Sequence, residues 1–466
     1  MMTDEHNSPA LRCGRLISRN TKCVVFVGCL MVSLILTATG ASAHVKWFVV
    51  CNVSDTPLPI GAVFTTTFVL CAALFLILFY FACEIEQTSF GAAISRALNY
   101  RTACLHSRTD DLLRAVAAVS FALLWADGGL ILTPELKGSS TGLSVIQLLV
   151  PTYLIARATV PAAGVGILVL YGYSAVTYGP FHMLDYPLFI GLGAYFALSV
   201  SQSAKLLAIR FDVLRWAVAL SLLWPSMEKF VYPAWVAPIA ITHPELTLGF
   251  DVNTVVTAAG VVEFGLAFAL FWTPLVRRLA ALALMLLLTA ATFDFGKVDG
   301  IGHLMIIAIL FLVFADPGRE QPRCRPVLAP LVSSATWLAT IFLYTGGHAL
   351  YYGSRNTALV AIAGGAATLG FIYLCLQGRT LLSSPMRTRS GQPSFVDRAA
   401  ECSTEPSADA HGESELDDSP ARTWADVART HAWRNAGIAG DTLRSAINRY
   451  RSGDLWGAFS NRTQTE

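Results

Sequence analysis

The chain alternates between long apolar runs and short polar connections. Between residues 60 and 376 the runs reach or approach the ~20 residues that a helix needs to cross a bilayer. This pattern predicts an all-α polytopic membrane protein with about eleven transmembrane helices after removal of a signal peptide. The predicted spans are 60–83, 112–132, 143–157, 160–178, 184–203, 211–231, 254–273, 279–294, 300–315, 329–350 and 357–376.

The two ends of the chain depart from this pattern. Basic residues precede an apolar core at 23–36, and Ala41-Ser42-Ala43 follows as an A-x-A cleavage site. This layout predicts a signal peptide at 1–43, with an uncleaved first span as the alternative. The polar composition of residues 378–466 predicts a cytoplasmic and largely disordered tail. Helix formers return at 423–451 and favour an amphipathic helix, with a tail helix of no role as the alternative.

An internal repeat organises the middle of the chain. Stretches that begin at Asp111 and Asp212 share a D-x-L-R start, a later serine and an L-L-W sequence. A second similarity places Asp185 opposite Asp299. We interpret these as two tandem four-helix bundles, and the alternative is a likeness due to Leu- and Ala-rich composition alone. The predicted divisions are 44–104 (outer segment, first span and cytoplasmic loop), 105–205 and 206–318 (the two repeats), and 319–377 (two further spans).

Composition excludes several classes of protein. Hydrophobic residues make up 54% of the chain and charged residues 14%, whereas soluble domains are about 25% charged. The net charge of +2 gives no basis for nucleic-acid binding, because the basic residues lie in loops between spans. The cysteines form no C-x-x-C pair, which argues against c-type haem, a zinc ribbon and a thioredoxin-like site. No motif fixes an enzyme class.

The basic residues predict the orientation of the chain. Those of alternate loops are Arg157, Lys205, Arg210, Arg277, Arg278, Arg319, Arg323 and Arg325, and those of the opposite loops are Lys137, Lys297 and Arg355. The positive-inside rule places the arginine loops and the C-terminus in the cytoplasm. We therefore expect a multi-pass protein of the bacterial inner membrane, with the lipid bilayer as its main partner.

Polar residues with acid–base or metal chemistry concentrate toward the predicted outer face: His44, His182, Asp185, Glu228, Lys229, His243, Glu245, Asp294, Lys297, Asp299, His303 and His348. Ionisable groups near a bilayer interior are costly and usually face a bundle interior or a cavity. The sequence therefore predicts a site that opens to the periplasm.

Glu228 and Lys229 are the first candidates for ligand binding or proton relay. As neighbours on a helix they point about 100° apart, so each needs its own partner, with Asp299 or Asp294 available to Lys229. The alternative is that Lys229 reaches the outer surface and Glu228 is solvated. Glu263 lies mid-span and is a second candidate for a proton path or an interhelix hydrogen bond.

Histidines supply the candidate metal ligands. His303 lies about one turn into the predicted span 300–315 and could bind a quinone carbonyl, move a proton, ligate a metal or only bond a neighbouring helix. His303 and His348 could together ligate a haem b. Cleavage after Ala43 would expose His44, whose α-amino and ring nitrogens could chelate copper, unless the cut before a histidine has no role.

The second repeat resembles the DoxX-like family of bacterial four-helix membrane proteins. The features that carry this resemblance are L-L-W-P-S-M-E-K-F-V-Y-P at 222–233 and D-G-I-G-H at 299–303. The first repeat matches more weakly, since Gly129 and Leu130 replace the Glu-Lys pair. The family implies a membrane subunit tied to quinone-linked redox chemistry or to sulfur and oxidative-stress chemistry. We accordingly expect a redox partner subunit as a second partner. Glu228, Lys229, Asp299 and His303 are the positions that match its pattern.

The sequence leaves four functions open. The first is a quinone- or redox-associated membrane subunit with its polar site facing the periplasm. The tandem repeat and Glu263 favour a transporter or permease as the second. A periplasm-facing copper protein would use His44, and a non-catalytic assembly partner would need none of the polar residues.

Overall fold

A computed structural model describes residues 49, 51–52, 54–138, 140–247, 249–318 and 325–382, which all belong to one folded unit. The side chains at 245, 246, 294 and 377–382 lie outside this description. The predicted signal peptide, His44 and the tail beyond 382 also lie outside the described residues. Within the described ranges the chain forms helices and, apart from one isolated bridge between Leu130 and Lys137, no β-structure.

Thirteen helices of ten or more residues form the described part of the chain, if the long helical element 274–315 is divided at its internal reversal. They are α1 Thr66–Gln87, α2 Ser89–His106, α3 Thr109–Ala126, α4 Thr141–Ile155, α5 Val160–Tyr178, α6 Pro187–Ala197, α7 Ala204–Ser226, α8 Pro233–Thr242, α9 Val252–Ala269, α10 Pro274–Phe293, α11 Phe295–Ala315, α12 Leu328–Tyr352 and α13 Arg355–Leu382. Shorter elements include the one-turn helix Glu228–Val231 and the 3₁₀ helix His182–Asp185.

Local sequence explains where several helices begin. Thr65, Thr88, Ser140 and Ser203 each accept a hydrogen bond from a backbone N–H of the helix that follows. Asp251 does the same for α9, with bonds from two N–H groups. Such side chains satisfy donors that the first helical turn leaves without a partner.

The prediction of an all-α polytopic membrane protein is confirmed. Seven helices of the described residues are long and apolar enough to cross a membrane, and three shorter apolar helices accompany them. Two further predicted spans correspond to α3 and α7. The N-terminal halves of these two helices carry charged residues such as Asp110, Arg114, Asp212 and Arg215. The two helices are therefore not among the seven long apolar ones. The protein is therefore a multi-pass integral membrane protein.

Three segments differ from the prediction. The predicted cytoplasmic loop at 84–111 contains the helix α2, which lacks a long apolar run but is capped by Thr88 and packs on α10 and α11. The span predicted to reach 132 ends at Ala126, because Gly128 and Gly129 adopt positive φ angles. Residues 233–242, which were predicted as a connection, form the apolar helix α8.

The chain reverses direction at Gly296, at the very start of α11. A straight helix from Pro274 to Ala315 would be about 63 Å long, yet Arg277 near its start pairs with Asp316 just after its end, 3.2 Å apart. Gly296 has φ 81° and ψ −159°, a conformation that favours glycine. The two helices thus form the antiparallel hairpin that the predicted spans 279–294 and 300–315 require.

The two predicted repeats contact each other reciprocally. The first helix of the first repeat, α3, packs against the last helix of the second, α11, while α6 packs against α7. The α3–α11 contact ends in an ion pair between Asp127 and Lys297, 2.9 Å apart. At the opposite end of α3, Asp110 pairs with Arg210 of α7 at 2.6 Å. This reciprocity supports the repeat, which remains a prediction.

The bundle has two chemically different ends. We call the end with the buried Arg277 and Arg278 the arginine end and the opposite one the Glu228 end. Helices α1 and α12 pack beside the second repeat, against α9 and each other, and α13 packs mainly on α12. The second repeat is therefore enclosed on this side by helices from outside both repeats.

Candidate functional site

Glu228 is buried at the Glu228 end of the bundle, where α7 stops. Pro225 and the one-turn helix Glu228–Val231 interrupt the regular helix at this point. Only 2% of Glu228 is exposed, and one carboxylate oxygen lies 3.4 Å from the Tyr344 hydroxyl of α12. The sequence-based alternative of a solvated Glu228 is wrong for this structure, because α12 covers the residue.

A group of polar residues surrounds this contact, and we call it the Glu228 cluster: Asp185, Glu228, Tyr232, Tyr344 and His348. Tyr344 interacts electrostatically with both carboxylates. The Tyr232 ring lies 6.3 Å from the Tyr344 ring and 6.2 Å from the His348 ring, centroid to centroid. Asp185 is 2% exposed and His348 4%. Buried groups from the first repeat, the second repeat and α12 thus meet at one place.

The segment before α1 packs onto the cluster. The Tyr232 hydroxyl donates to the Asp55 carbonyl at 2.9 Å, and the Trp235 indole N–H donates to the Asp55 carboxylate at 3.3 Å. The Leu58 amide donates to the Val231 carbonyl at 3.0 Å. The rings of Tyr232 and Trp235 stack 3.9 Å apart. This segment therefore covers the cluster on the side that faces the Glu228-end surface of the bundle.

An apolar groove lies in the middle of the bundle, and one of its lining residues, Trp224, contacts the cluster. Its volume is about 730 Å³, within the ~300–1,000 Å³ typical of small-molecule sites. Its lining includes Leu220, Trp224, Phe268, Thr336, Leu343 and Ile372. Trp224 also packs against Tyr344, with ring centroids 5.0 Å apart. An elongated molecule in the groove could therefore place one end beside the Glu228 cluster.

Lys229 takes a different partner from the one expected. Its ammonium nitrogen lies 2.6 Å from a carboxylate oxygen of Glu263 on α9, not beside Asp299. The 100° offset between adjacent helical residues explains why Glu228 faces α12 while Lys229 faces α9. The side chains are 15% and 29% exposed, so the pair sits at the edge of the bundle rather than in its centre.

Asp299 and His303 form a pair of their own on α11. His303 Nδ1 lies 2.9 Å from one Asp299 carboxylate oxygen, across one helical turn. Asp299 is fully buried, and its other oxygen has no hydrogen-bond partner among the described residues. Ile301 and Leu304 pack against α3 between these residues and the first repeat. The pair therefore lies close to the contact between the two repeats.

The first repeat carries a polar cluster that the sequence did not single out. Glu135 accepts a hydrogen bond from the Tyr186 hydroxyl and lies 2.8 Å from His182 Nε2. The ring of Tyr178 stacks on the His182 ring, with centroids 6.1 Å apart. His182 was recognised only as an outer polar residue. Glu135 gave no signal, because it lies in an irregular loop that the prediction treated as part of a span and its connection.

The arginine end is built around two buried arginines. Arg278 donates to the Phe314 carbonyl at 2.7 Å and to the Thr102 hydroxyl at 2.8 Å. Arg277 pairs with Asp316. These bonds join α2, α10 and α11, so the principal role of the arginines is structural.

The structure brings no metal site together among the residues that it describes: no group of three or more His, Cys, Asp or Glu side chains could hold an ion. His348 lies among the rings of Phe181, Tyr232 and Tyr352. His44 lies outside the described residues, so a copper site there stays a prediction, as does ligation of a haem b by His303 and His348.

No protein-family model, curated protein or solved structure matches this chain. The resemblance to the DoxX-like family therefore stays a prediction that rests on the motifs of the second repeat.

Proposed function

We propose that this protein is a quinone-associated redox subunit of the bacterial inner membrane, with its polar site facing the periplasm. The single observation that carries the proposal is that Trp224 lines the apolar groove and also packs against Tyr344 of the Glu228 cluster. A quinone combines an apolar tail with a head group whose carbonyls accept hydrogen bonds. The groove suits the tail, and the cluster suits the head group.

The chemistry of the cluster fits a head group that gains and loses protons. Quinone reduction requires electrons, which a redox partner subunit would supply, and protons, which side chains near the carbonyls must deliver. Tyr344 and His348 are hydrogen-bond donors when protonated. A protonated carboxyl group beside the head group can also donate a proton, so Glu228 is the carboxyl group that we assign to this role.

Mass spectrometry of organic extracts from gently purified protein tests the proposal. We expect quinone in the wild-type extract and its loss from a Glu228→Gln, Tyr344→Phe double variant, because both changes remove groups beside the head group. Leu369→Trp should also lower retention, since residue 369 lines the groove and is half-exposed. Glu263→Gln is the matched control and should retain quinone. Equal trace amounts in every sample would overturn the proposal.

A second function, proton-coupled transport, is favoured by a separate observation. Asp185, Glu228 and Asp299 are buried carboxylates on different elements of a bundle with two similar halves. Intramembrane carboxylates commonly carry protons in transporters. Uptake of a solute into proteoliposomes driven by a proton gradient, and lost in Asp299→Asn, would favour this function over the redox subunit.

A further inference from the structure

The Glu135–His182–Tyr186 cluster lies between the Glu228-end surface and the Glu228 cluster. The side chains of Glu135 and His182 are each 10% exposed, so solvent reaches both. His182 Nε2 faces Glu135, whereas its Nδ1 is buried and has no hydrogen-bond partner among the described residues. A buried ring nitrogen without a partner is costly, and a transient proton or water would satisfy it.

His182 and Asp185 are the first and last residues of one 3₁₀ helix. Side chains three residues apart in a 3₁₀ helix eclipse one another, and a rise of about 2 Å per residue separates them by about 6 Å along the axis. That separation suits transfer through one bridging water. Asp185 in turn interacts electrostatically with Tyr344, the residue that approaches Glu228.

We propose that Glu135, His182 and Asp185 form a proton route through the first repeat that connects the Glu228-end surface to the Glu228 cluster. This inference rests on the proposed function in one respect, which is that the Glu228 cluster gives protons to a bound molecule and must regain them. Glu135 takes up a proton from solvent and passes it to His182 Nε2. The resulting imidazolium releases its Nδ1 proton through the bridging water to the Asp185 carboxylate, which passes it on to Glu228 beside Tyr344. Return of the ring proton from Nε2 to Nδ1 through water then restores the starting state.

The groups that face the route are consistent with this direction. Tyr178 of α5 covers the His182 ring, and its hydroxyl is held by the Lys137 backbone, so it does not compete for Nδ1. The Tyr186 hydroxyl donates to Glu135 and holds this carboxylate beside His182. Tyr171 of α5 interacts electrostatically with Asp185 and donates to the Met183 carbonyl.

A stopped-flow pH jump on the full-length protein in lipid nanodiscs tests the route. Tryptophan fluorescence is the readout, because Trp224 packs against Tyr344 in the cluster. The relevant kinetic component is the one that both Trp224→Phe and Glu228→Gln remove. We expect Glu135→Gln and His182→Phe to slow this component about a hundredfold, as for loss of a positioned proton carrier, while its final amplitude stays the same.

Two further measurements separate proton transfer from a structural role. Imidazole in the buffer should restore the rate in His182→Gly, which a merely misfolded variant would not show. Asp127→Asn, which removes a partly exposed carboxylate at the same end of the bundle, should leave the rate unchanged. Wild-type rates in both route variants, or no component assigned to the cluster, would overturn the route. Quinone extraction tests the proposed function separately. If the route variants slow the component but the wild-type protein holds no quinone, the proton route is supported and the redox subunit is contradicted.

Discussion

The Tyr344 hydroxyl of α12 lies 3.4 Å from the carboxylate of Glu228, which comes 116 residues earlier in the chain. Helix α12 belongs to neither predicted repeat. The contact therefore makes the site a product of the whole bundle, with the second repeat supplying the carboxylate and the following span supplying its partner. A second repeat expressed alone would lack this partner.

Tyr344→Phe should lower the free energy of unfolding by about 1 kcal/mol, because it removes a hydrogen bond to a buried carboxylate. Denaturant titration in detergent measures the change. Tyr351→Phe on the same helix is the control, since Tyr351 is 52% exposed. The effect of Tyr344→Phe should shrink in a Glu228→Gln background, and equal effects in both backgrounds would contradict a direct interaction.

Breaking the Lys229–Glu263 pair should cost about 1–2 kcal/mol, less than the ~3–5 kcal/mol of a fully buried pair because both side chains are partly exposed. The measurement is the unfolding midpoint of Glu263→Gln. Replacing both residues, as Lys229→Met with Glu263→Leu, should recover much of the loss. The Asp111–Arg157 pair is exposed on both sides, so Arg157→Gln should change little. Equal losses at both pairs would contradict the larger stabilisation that we expect from the less exposed Lys229–Glu263 pair.

Gly296→Ala should destabilise the α10–α11 hairpin by about 1–3 kcal/mol, because a Cβ atom disfavours the φ and ψ angles at this position. Hydrogen exchange of α10 and α11, together with the unfolding midpoint, measures the change. Gly370→Ala is the matched control, since no atom lies within 4 Å of its added Cβ and alanine favours a helix. It should be neutral or stabilising.

The start of α9 should loosen at low pH. Hydrogen bonds from the Thr254 hydroxyl and amide lower the pKa of Asp251 below its ordinary value. A lowered carboxyl pKa stabilises the folded state above the unfolded-state pKa, and this stabilisation disappears as the pH falls through the lowered value. Hydrogen exchange at Asn253 and Thr254 should increase there in the wild type. Asp251→Asn, which caps without titrating, should show no such increase.

The arginine end should face the cytoplasm. Arg157 and Arg355 are exposed arginines at opposite ends of the bundle and can each be replaced by cysteine in a background without accessible native cysteines. In intact spheroplasts an impermeant maleimide should label Arg355→Cys and spare Arg157→Cys. The reverse labelling pattern would show the opposite orientation, with the Glu228 end of the bundle on the cytoplasmic side.

Helix periodicity and span length were sufficient to predict most of the fold. Apolar runs located α1, α5 and the helices after residue 252, because the bilayer requires a long uninterrupted apolar segment. Helix α2 escaped prediction, since its stability depends on contacts such as Arg278 with Asn99 and Thr102 rather than on its own apolar surface. Such contacts between distant parts of a chain leave no periodic signal.

The candidate site could be predicted only in part. Asp185, Glu228 and His348 stand out as polar side chains toward the predicted outer face. The other candidates form separate pairs, Lys229 with Glu263 and Asp299 with His303. Their partners depend on which helices are neighbours, and a single sequence does not contain that information. Tyr344 was missed because a tyrosine in an apolar span is ordinary.

Helix α3 carries an ion pair to the second repeat at each of its ends, Asp110 with Arg210 and Asp127 with Lys297. The two ion pairs are separated by the length of the helix, about 27 Å. A rocking motion that parts the repeats at one membrane surface must break one pair while it compresses the other. The arrangement resists tilting more than rotation about the α3 axis, so any working cycle of this protein should twist the two halves rather than swing them apart.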